Sequence, residues 1–340
     1  MEKVRLGRTG LMVTKTSFGA LPIQRVSFAE ARAILRRACE AGINFFDTAR
    51  SYSDSEEKIG YSLSDLRKEI YIATKTPSQD KEGVLRDIQT SLKLMKTDYV
   101  DLLQLHNPSF LPDPEDPDGM YAGLLEAQRR GYCRFIGITN HRLPLAVEAA
   151  KSGKYDTVQY PFNYLSTPEE EALVRLCEKE DVGFIVMKAM SGGLITDASV
   201  TFAHLRQFAN AVPIYGIQRM EELEQFVGLE ENPPVLDEAR LATIQKDRKE
   251  LAGNFCRGCG YCMPCPAGIE IPTAARMSLL LRRSPYQNWL TDSQREAMAR
   301  IENCLHCNQC SSKCPYQLDT PALLRANWED YQQFAKEHAE

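Results

Sequence analysis

Eight short, β-branched apolar runs recur through the first two-thirds of the chain and constrain its fold more than any other feature. They are Lys15–Ala20, Asn44–Ala49, Ile70–Thr76, Val100–His106, Arg134–Asn140, Thr157–Tyr164, Gly183–Met190 and Val212–Ile217. From the second run to the eighth they start about 28 residues apart, the length of a strand, a loop, a helix and a second loop. Their apolar character is nearly continuous, as in Phe184-Ile185-Val186-Met187, which is the pattern of strands buried on both faces of a parallel sheet. Helix signals fill the intervals. Ser27 with Glu30 reads as a capping box before Ala31, Leu35 and Ala38, with Gly42 as the stop. Thr167, Pro168 and Glu170 start another helix before Leu173 and Leu176. Eight βα units of this length predict an α/β fold, a (β/α)8 TIM barrel. An open, doubly wound sheet is the rival, but it needs a Gly-rich turn after its first strand. Ser17-Phe18-Gly19-Ala20-Leu21-Pro22 supplies one glycine. Val4–Leu6 and Leu11–Val13, around Gly7-Arg8-Thr9-Gly10, predict a hairpin ahead of the barrel.

The pattern stops at Glu231-Asn232-Pro233-Pro234, which predicts a barrel domain over residues 1–232 and a second domain over 233–340. A charged helix is expected over Asp237–Leu251. A cysteine-bearing region with helices at Ile271–Arg283 and Asp292–Asn303 follows, then an amphipathic tail around Leu323, Trp328 and Phe334. With 41 basic and 46 acidic residues the net charge is −5, so the broad basic field of a general nucleic-acid binder is missing. No apolar run approaches the ~20 residues of a membrane span. Met1–Leu6 has no apolar stretch like that of a signal peptide. A cytoplasmic protein is expected.

Eight of the eleven cysteines lie in two tight groups. One is Cys256-x2-Cys259-x2-Cys262-x2-Cys265-Pro266, the other Cys304-x2-Cys307-x2-Cys310-x3-Cys314-Pro315. In a reducing compartment such groups point to metal rather than disulfides. Three thiolates at three-residue steps wrap three corners of a cubane, and the fourth, followed by proline, turns toward a different cluster. Two [4Fe–4S] clusters are therefore expected by exchange. Cys256, Cys259, Cys262 and Cys314 hold one; Cys304, Cys307, Cys310 and Cys265 hold the other. A pair of zinc sites is the alternative, but zinc knuckles usually separate two ligand pairs by a longer loop. The first group departs by one residue before Cys265. The helical spacer resembles that of an α-helical, ferredoxin-like domain rather than the compact β-rich ferredoxin. His306 reads as an exposed or supporting residue, and Cys39, Cys133 and Cys177 as small buried hydrophobes.

Functional side chains of such barrels sit at the C-terminal ends of strands. Asp47 ends Asn44-Phe45-Phe46-Asp47, Lys75 ends Ile72-Ala73-Thr74-Lys75, and His106 ends Leu102-Leu103-Gln104-Leu105-His106. Tyr52 follows Asp47 by five residues. A phenol is a poor acid at neutral pH. A buried cation beside it is expected to lower its pKa, a carboxylate to fix that cation, and a histidine to orient a carbonyl or join the proton relay.

On these residues the chain resembles the aldo-keto reductase family. Asp47-Thr48-Ala49-x2-Tyr52-x3-Glu56-x2-Ile59-Gly60 is similar to the family's first signature. Lys75 and His106 fall where its other catalytic residues fall. Gly137-Ile138-Thr139-Asn140 and Gln159-x2-Phe162-Asn163 resemble its strand-end motifs for the nicotinamide carboxamide. The resemblance implies a nicotinamide cofactor across the barrel mouth, with Tyr52 protonating a carbonyl oxygen, Lys75 and Asp47 tuning it, and His106 orienting the substrate. Thr139, Asn140 and Gln159 are implied cofactor contacts. Family members usually stack a tyrosine on the nicotinamide after the seventh strand; here Met187 holds that place, with Lys188 next. Gly216 and Arg219 match the phosphate-binding segment after strand eight loosely, and Arg219 as a contact to a 2′-phosphate favours NADP(H) over NAD(H). With the cysteine groups, nearly the whole chain resembles a subgroup of prokaryotic aldo-keto reductase-like proteins with a C-terminal ferredoxin-type domain.

Together these readings predict an NADP-dependent oxidoreductase acting on a small carbonyl or alcohol substrate. Its clusters would exchange electrons with a ferredoxin- or flavodoxin-type carrier. A hydride carries two electrons and a [4Fe–4S] cluster takes one, so the two need a carrier such as a flavin between them, and no flavin signature is present. The competing reading is an iron–sulfur electron-transfer or redox-sensing protein that keeps the barrel as a scaffold.

Overall fold

The computed structural model describes residues 1–251, 255–283 and 285–338. They form two compact units, Met1–Ala189 with Asp197–Ile244, and Met190–Thr196 with Gln245–Glu340.

In the first unit β1 (Lys3–Arg5) and β2 (Met12–Thr14) form the expected antiparallel hairpin. There follow β3 (Ser17–Gly19), α1 (Phe28–Glu40), β4 (Phe45–Asp47), α2 (Ser55–Leu63), β5 (Tyr71–Thr76), α3 (Lys81–Met95), β6 (Val100–His106) and α4 (Met120–Arg129). Then come β7 (Cys133–Thr139), α5 (Leu143–Lys151), β8 (Thr157–Pro161), α6 (Pro168–Lys179), β9 (Gly183–Met187), α7 (Ala198–Leu205), β10 (Ala211–Gly216) and α8 (Met220–Glu231). Strands β3 to β10 pair in parallel and close into a barrel, β10 bonding to both β9 and β3. Both expected capping boxes form, Ser27 with Glu30 and Thr167 with Glu170. Gly42, at φ +93°, turns the chain after α1.

The hairpin closes one end of the barrel. Leu6, Leu11 and Val13 pack in one buried cluster with Phe45, Ala73, Leu102, Ile185 and Val212 from inside the barrel. A Cβ on Gly7 would lie 2.2 Å from the backbone nitrogen of Gly183, so that turn seats directly on the start of β9. The hairpin thereby plugs the end where the strands begin, opposite the strand ends that carry Asp47, Lys75 and His106. Cys133 and Cys177 are buried, and burial pushes both thiols up to about 12, which leaves them inert.

One ion network ties β5, β6 and β7 from below. Asp101, 1% exposed, accepts 2.8 Å hydrogen bonds from Arg67 Nη2 and Arg134 Nη1 and one of 2.9 Å from the Ile72 amide. Asp101→Asn removes the charge and leaves the Arg67 guanidinium without its carboxylate. It is expected to lower unfolding stability by about 3 kcal/mol, read as a shift of the urea midpoint. A loss below about 1 kcal/mol would mean that solvent already screens the pair.

The second unit is helical. α9 (Glu238–Glu250) leads into it, and α10 (Ile271–Ala274), α11 (Met277–Arg283), α12 (Asp292–Ala299), α13 (Gln309–Ser312) and α14 (Thr320–Glu337) follow. The expected helix over Ile271–Arg283 is broken at Ala275–Arg276. The Arg276 amide bonds to Thr273 O, and its Nε takes the Pro272 carbonyl that a continuous helix would have given to that amide. Leu194 joins the core of this unit, with Ile269, Ile271, Met277, Leu281, Met298, Ile301, Leu324 and Tyr331. Arg283 Nε also donates to Leu194 O at 2.7 Å. These contacts place Met190–Thr196 in the second unit, an assignment that a single cut in the sequence at 232 cannot make. Among the described residues no helix is long and apolar enough to cross a membrane.

Candidate active site

At the C-terminal ends of the barrel strands the structure brings Asp47, Tyr52, Lys75 and His106 together. Asp47 and Lys75 are the last or next-to-last residues of neighbouring strands β4 and β5. Lys75 Nζ donates to Asp47 Oδ2 at 2.5 Å and to Thr48 O at 2.6 Å. Tyr52 lies on the loop after β4, its half-buried ring centroid 5.2 Å from Lys75 Nζ and 5.7 Å, edge-on, from the His106 ring. The signature's glutamate shapes the same corner. The buried Glu56 carboxylate accepts from Thr74 Oγ1 at 2.6 Å, next to Lys75 in β5, and pairs with Arg50. The signature's glycine has a packing reason: a Cβ on Gly60 would lie 2.2 Å from Leu94 O, so α2 needs a glycine to meet α3.

Burial pushes the Asp47 carboxyl up and the Lys75 ammonium down, and their contact opposes both shifts. Tyr52 departs from expectation. Its pKa is raised, first by burial and then by the Asp47 carboxylate. The phenol therefore stays protonated at neutral pH, the state a proton donor must be in. Burial, then Lys75, drives the His106 imidazole down to about 3. A neutral ring can donate one hydrogen bond without adding charge. A histidine whose folded pKa lies below its unfolded value of about 6.5 opposes folding as pH falls. An NMR titration of His106 is expected to show no protonation midpoint between about pH 5 and 8. A midpoint near 6.5 would put the ring in solvent.

Gln104 was not singled out by the sequence and is central to the site. It is fully buried, two residues before His106 in β6 and hence on the same face of the strand. Its Nε2 donates to Gln159 Oε1 at 2.8 Å and lies 3.4 Å from Asp47 Oδ1. A lone amide within Leu102-Leu103-Gln104-Leu105 was the available signal.

The implied cofactor contacts divide. Thr139 and Gln159 are buried in the strands below the mouth. Asn140 is spent on the scaffold: its Nδ2 donates to Pro108 O at 2.9 Å and its Oδ1 accepts from the Arg142 amide at 2.8 Å. Asn163 Nδ2 donates to Lys188 O at 3.0 Å, beside Met187 at the end of β9, and holds Lys188 at φ +59°. Gly216 ends β10 exposed, and Arg219 precedes α8. Glu222 already fills the anion position there. It accepts from the Gln218 and Arg219 amides at 2.8 and 3.1 Å and pairs with Arg219 at 2.9 Å.

In the second unit the eight clustered thiols line two hollows. One is lined by Cys256, Cys259 and Cys262 with Cys314, so three thiols come from the first run and the last from the second. The other is lined by Cys304, Cys307 and Cys310 with Cys265, and Cys262 touches it too. The two runs share a backbone path. Gly258 and Gly260 have φ of +62° and +82°; His306 and Asn308, at the matching places, have +50° and +57°. Left-handed residues at the same two steps wrap each run around its hollow, and His306 is exposed. Burial and the neighbouring Cys256 and Cys259 push the Cys262 thiol up to about 12. So many thiolates gather stably only around positive charge, which an iron–sulfur core supplies. The donor set fits such a group.

A parallel barrel with an acid–base cluster at its strand ends, continuing into a cysteine-lined helical unit, defines an oxidoreductase. The chain belongs to the aldo/keto reductase family, whose model matches residues 14–209, and a 4Fe-4S dicluster domain matches residues 255–319. It is 31% identical over 217 residues to L-galactose dehydrogenase of Arabidopsis thaliana, covering 58% of this chain and 68% of that one. It is 25% identical over 234 residues to the uncharacterized oxidoreductase YqkF of Bacillus subtilis (strain 168), covering 65% and 75%. Among solved structures, an aldo-keto reductase from Klebsiella pneumoniae in complex with NADPH superposes with a TM-score of 0.62 at 20% identity, over 72% of this chain and 94% of that one.

Proposed function

We propose that the barrel is an NADP(H)-dependent reductase of a small aldehyde or ketone, or a dehydrogenase of the matching alcohol. One observation carries this reading: the Tyr52 ring lies beside the His106 ring and over a Lys75 ammonium locked onto Asp47. The nicotinamide, when bound, supplies or accepts the hydride. The protein's own part is proton transfer and orientation. Tyr52 Oη gives its proton to the carbonyl oxygen, Lys75 stabilises the phenolate left behind, and His106 donates a hydrogen bond that fixes the carbonyl. Asp47 and Gln104 hold the ammonium in place. The solved relative with bound NADPH supports the cofactor class. For a 2′-phosphate to use Arg219, Glu222 must swing away. Glu222→Gln is therefore expected to tighten NADPH binding roughly fivefold and leave NADH almost unchanged, measured by the change in the reduced cofactor's own fluorescence on titration. Equal effects on both cofactors would remove Arg219 from the phosphate site.

The helical unit, in this reading, carries two [4Fe–4S] clusters that pass single electrons to or from a ferredoxin- or flavodoxin-type carrier. The direct test is anaerobic NADPH oxidation against a panel of aldehydes and ketones, with iron and sulfide counted in the same preparation. The pairing of Arg219 with Glu222 favours a second reading, a scaffold barrel on an electron-transfer or redox-sensing protein. Absence both of turnover and of saturable NADPH binding would select it.

A further inference from the structure

Arg276, at the break between α10 and α11, has no role in the functions above, yet the unit is built around it. Its Nε donates to Pro272 O and its Nη1 to Gly192 O, each at 2.8 Å. Two left-handed glycines make room for the guanidinium. A Cβ on Gly258 (φ +62°) would lie 2.8 Å from Arg276 Cζ, and one on Gly192 (φ +65°) would lie 3.0 Å from Nη1. Gly258 sits between Cys256 and Cys259, and its own amide donates to Cys256 Sγ at 3.3 Å. The guanidinium is thus pressed, half-buried, against the turn that carries Cys256 and Cys259. The matching turn of the second run has His306 where the first has Gly258, so a side chain stands where the first turn leaves space for a guanidinium.

We propose that Arg276 is the positioning and charge-compensating residue of the Cys256–Cys259–Cys262–Cys314 cluster and raises its reduction potential. The proposal rests on the two-cluster reading above. Reduction of a cluster adds one electron and so one negative charge. A fixed cation near the thiolates stabilises that added charge, more strongly when it is partly shielded from water. Arg276 also holds the Met190–Thr196 segment through Gly192 O, so the same guanidinium serves the cluster and the loop.

The test begins with iron counts on the full-length protein and its Arg276→Gln and Arg276→Lys variants, followed by dithionite titration with dye mediators, read by electron paramagnetic resonance. In Arg276→Gln one of the two cluster signals is expected at a lower potential, on the order of tenfold less reduced at a fixed poise, while the other stays put. Arg276→Lys, which keeps the charge, should recover most of that shift. If Arg276→Gln loses iron and Arg276→Lys keeps it at a near-native potential, charge compensation is again supported. Equal potentials in all three proteins, a shift common to both clusters, or a Lys variant that behaves like the Gln variant would overturn the proposal. A native protein that holds no iron–sulfur cluster would instead remove the reading on which it rests.

Discussion

Tyr52→Phe is expected to lower kcat/KM for NADPH-dependent carbonyl reduction by about 10²–10⁴-fold while leaving NADPH binding intact. The substitution removes one oxygen. The ring keeps its place over Lys75 and beside His106, because those contacts are made by the ring itself. The proton that must reach the carbonyl oxygen is lost, and His106 cannot replace it: its pKa near 3 leaves the imidazole neutral and a very weak acid. Lys75 is a poor substitute too, since its ammonium is bound to Asp47 and Thr48 O. Lys75→Met would be a less clean test, because it strands the buried Asp47 carboxylate and costs stability as well as rate. The pH profile carries a second signature. Burial and Asp47 raise the Tyr52 pKa, so the acid form persists across the neutral and mildly alkaline range. The wild-type rate of reduction should therefore hold there, and fall only where the phenol finally ionises. A variant that retains full activity would show that another group supplies the proton.

How much of this was legible beforehand follows the physics of each signal. The barrel was readable because burial on both faces leaves uninterrupted apolar runs; Val100–His106 was read with the bounds that β6 has. The corner residues were readable because a charge at the end of such a run is costly without a function. Gln104 was missed because an uncharged amide inside a strand carries no such cost on its face; its meaning lies in contacts with Asp47 and Gln159, which are 57 and 55 residues away in sequence. The pairing of Lys75 with Asp47 is legible in the sequence, but the direction of the Tyr52 shift is not, because it depends on how deeply the phenol is buried and how near it lies to the Asp47 charge. Glu222 as the occupant of the α8 start was open to view in Arg219-Met220-Glu221-Glu222, since a glutamate three residues after a cap position bonds back to it. The break at Arg276 carries no sequence signal, because it comes from which donor takes the Pro272 carbonyl, the Arg276 side chain rather than its amide, and no Gly or Pro marks that choice.

The double variants Cys256→Ser/Cys314→Ser and Cys256→Ser/Cys265→Ser are expected to differ sharply in iron content. The first pair removes two ligands of one cluster, the set lining the hollow of Cys256, Cys259, Cys262 and Cys314, and should leave about four of about eight irons. The second pair takes one ligand from each set, because Cys265 lines the hollow of Cys304, Cys307 and Cys310, and should strip both clusters. If each run instead ligated its own cluster, the outcomes would be reversed. Stability should follow the iron. The second unit buries a modest core, much of it packed directly on the cysteine turns, with Cys256, Cys262, Cys265, Cys304 and Cys310 lying against it. Thiolate–iron bonds then serve as its staples, and losing both clusters should unfold this unit while the barrel, with its own closed hydrogen-bond ring, keeps its circular dichroism and its NADPH binding. Iron loss without unfolding of the helices would mean that the apolar core alone holds the unit, and that the clusters serve electron transfer without a structural part.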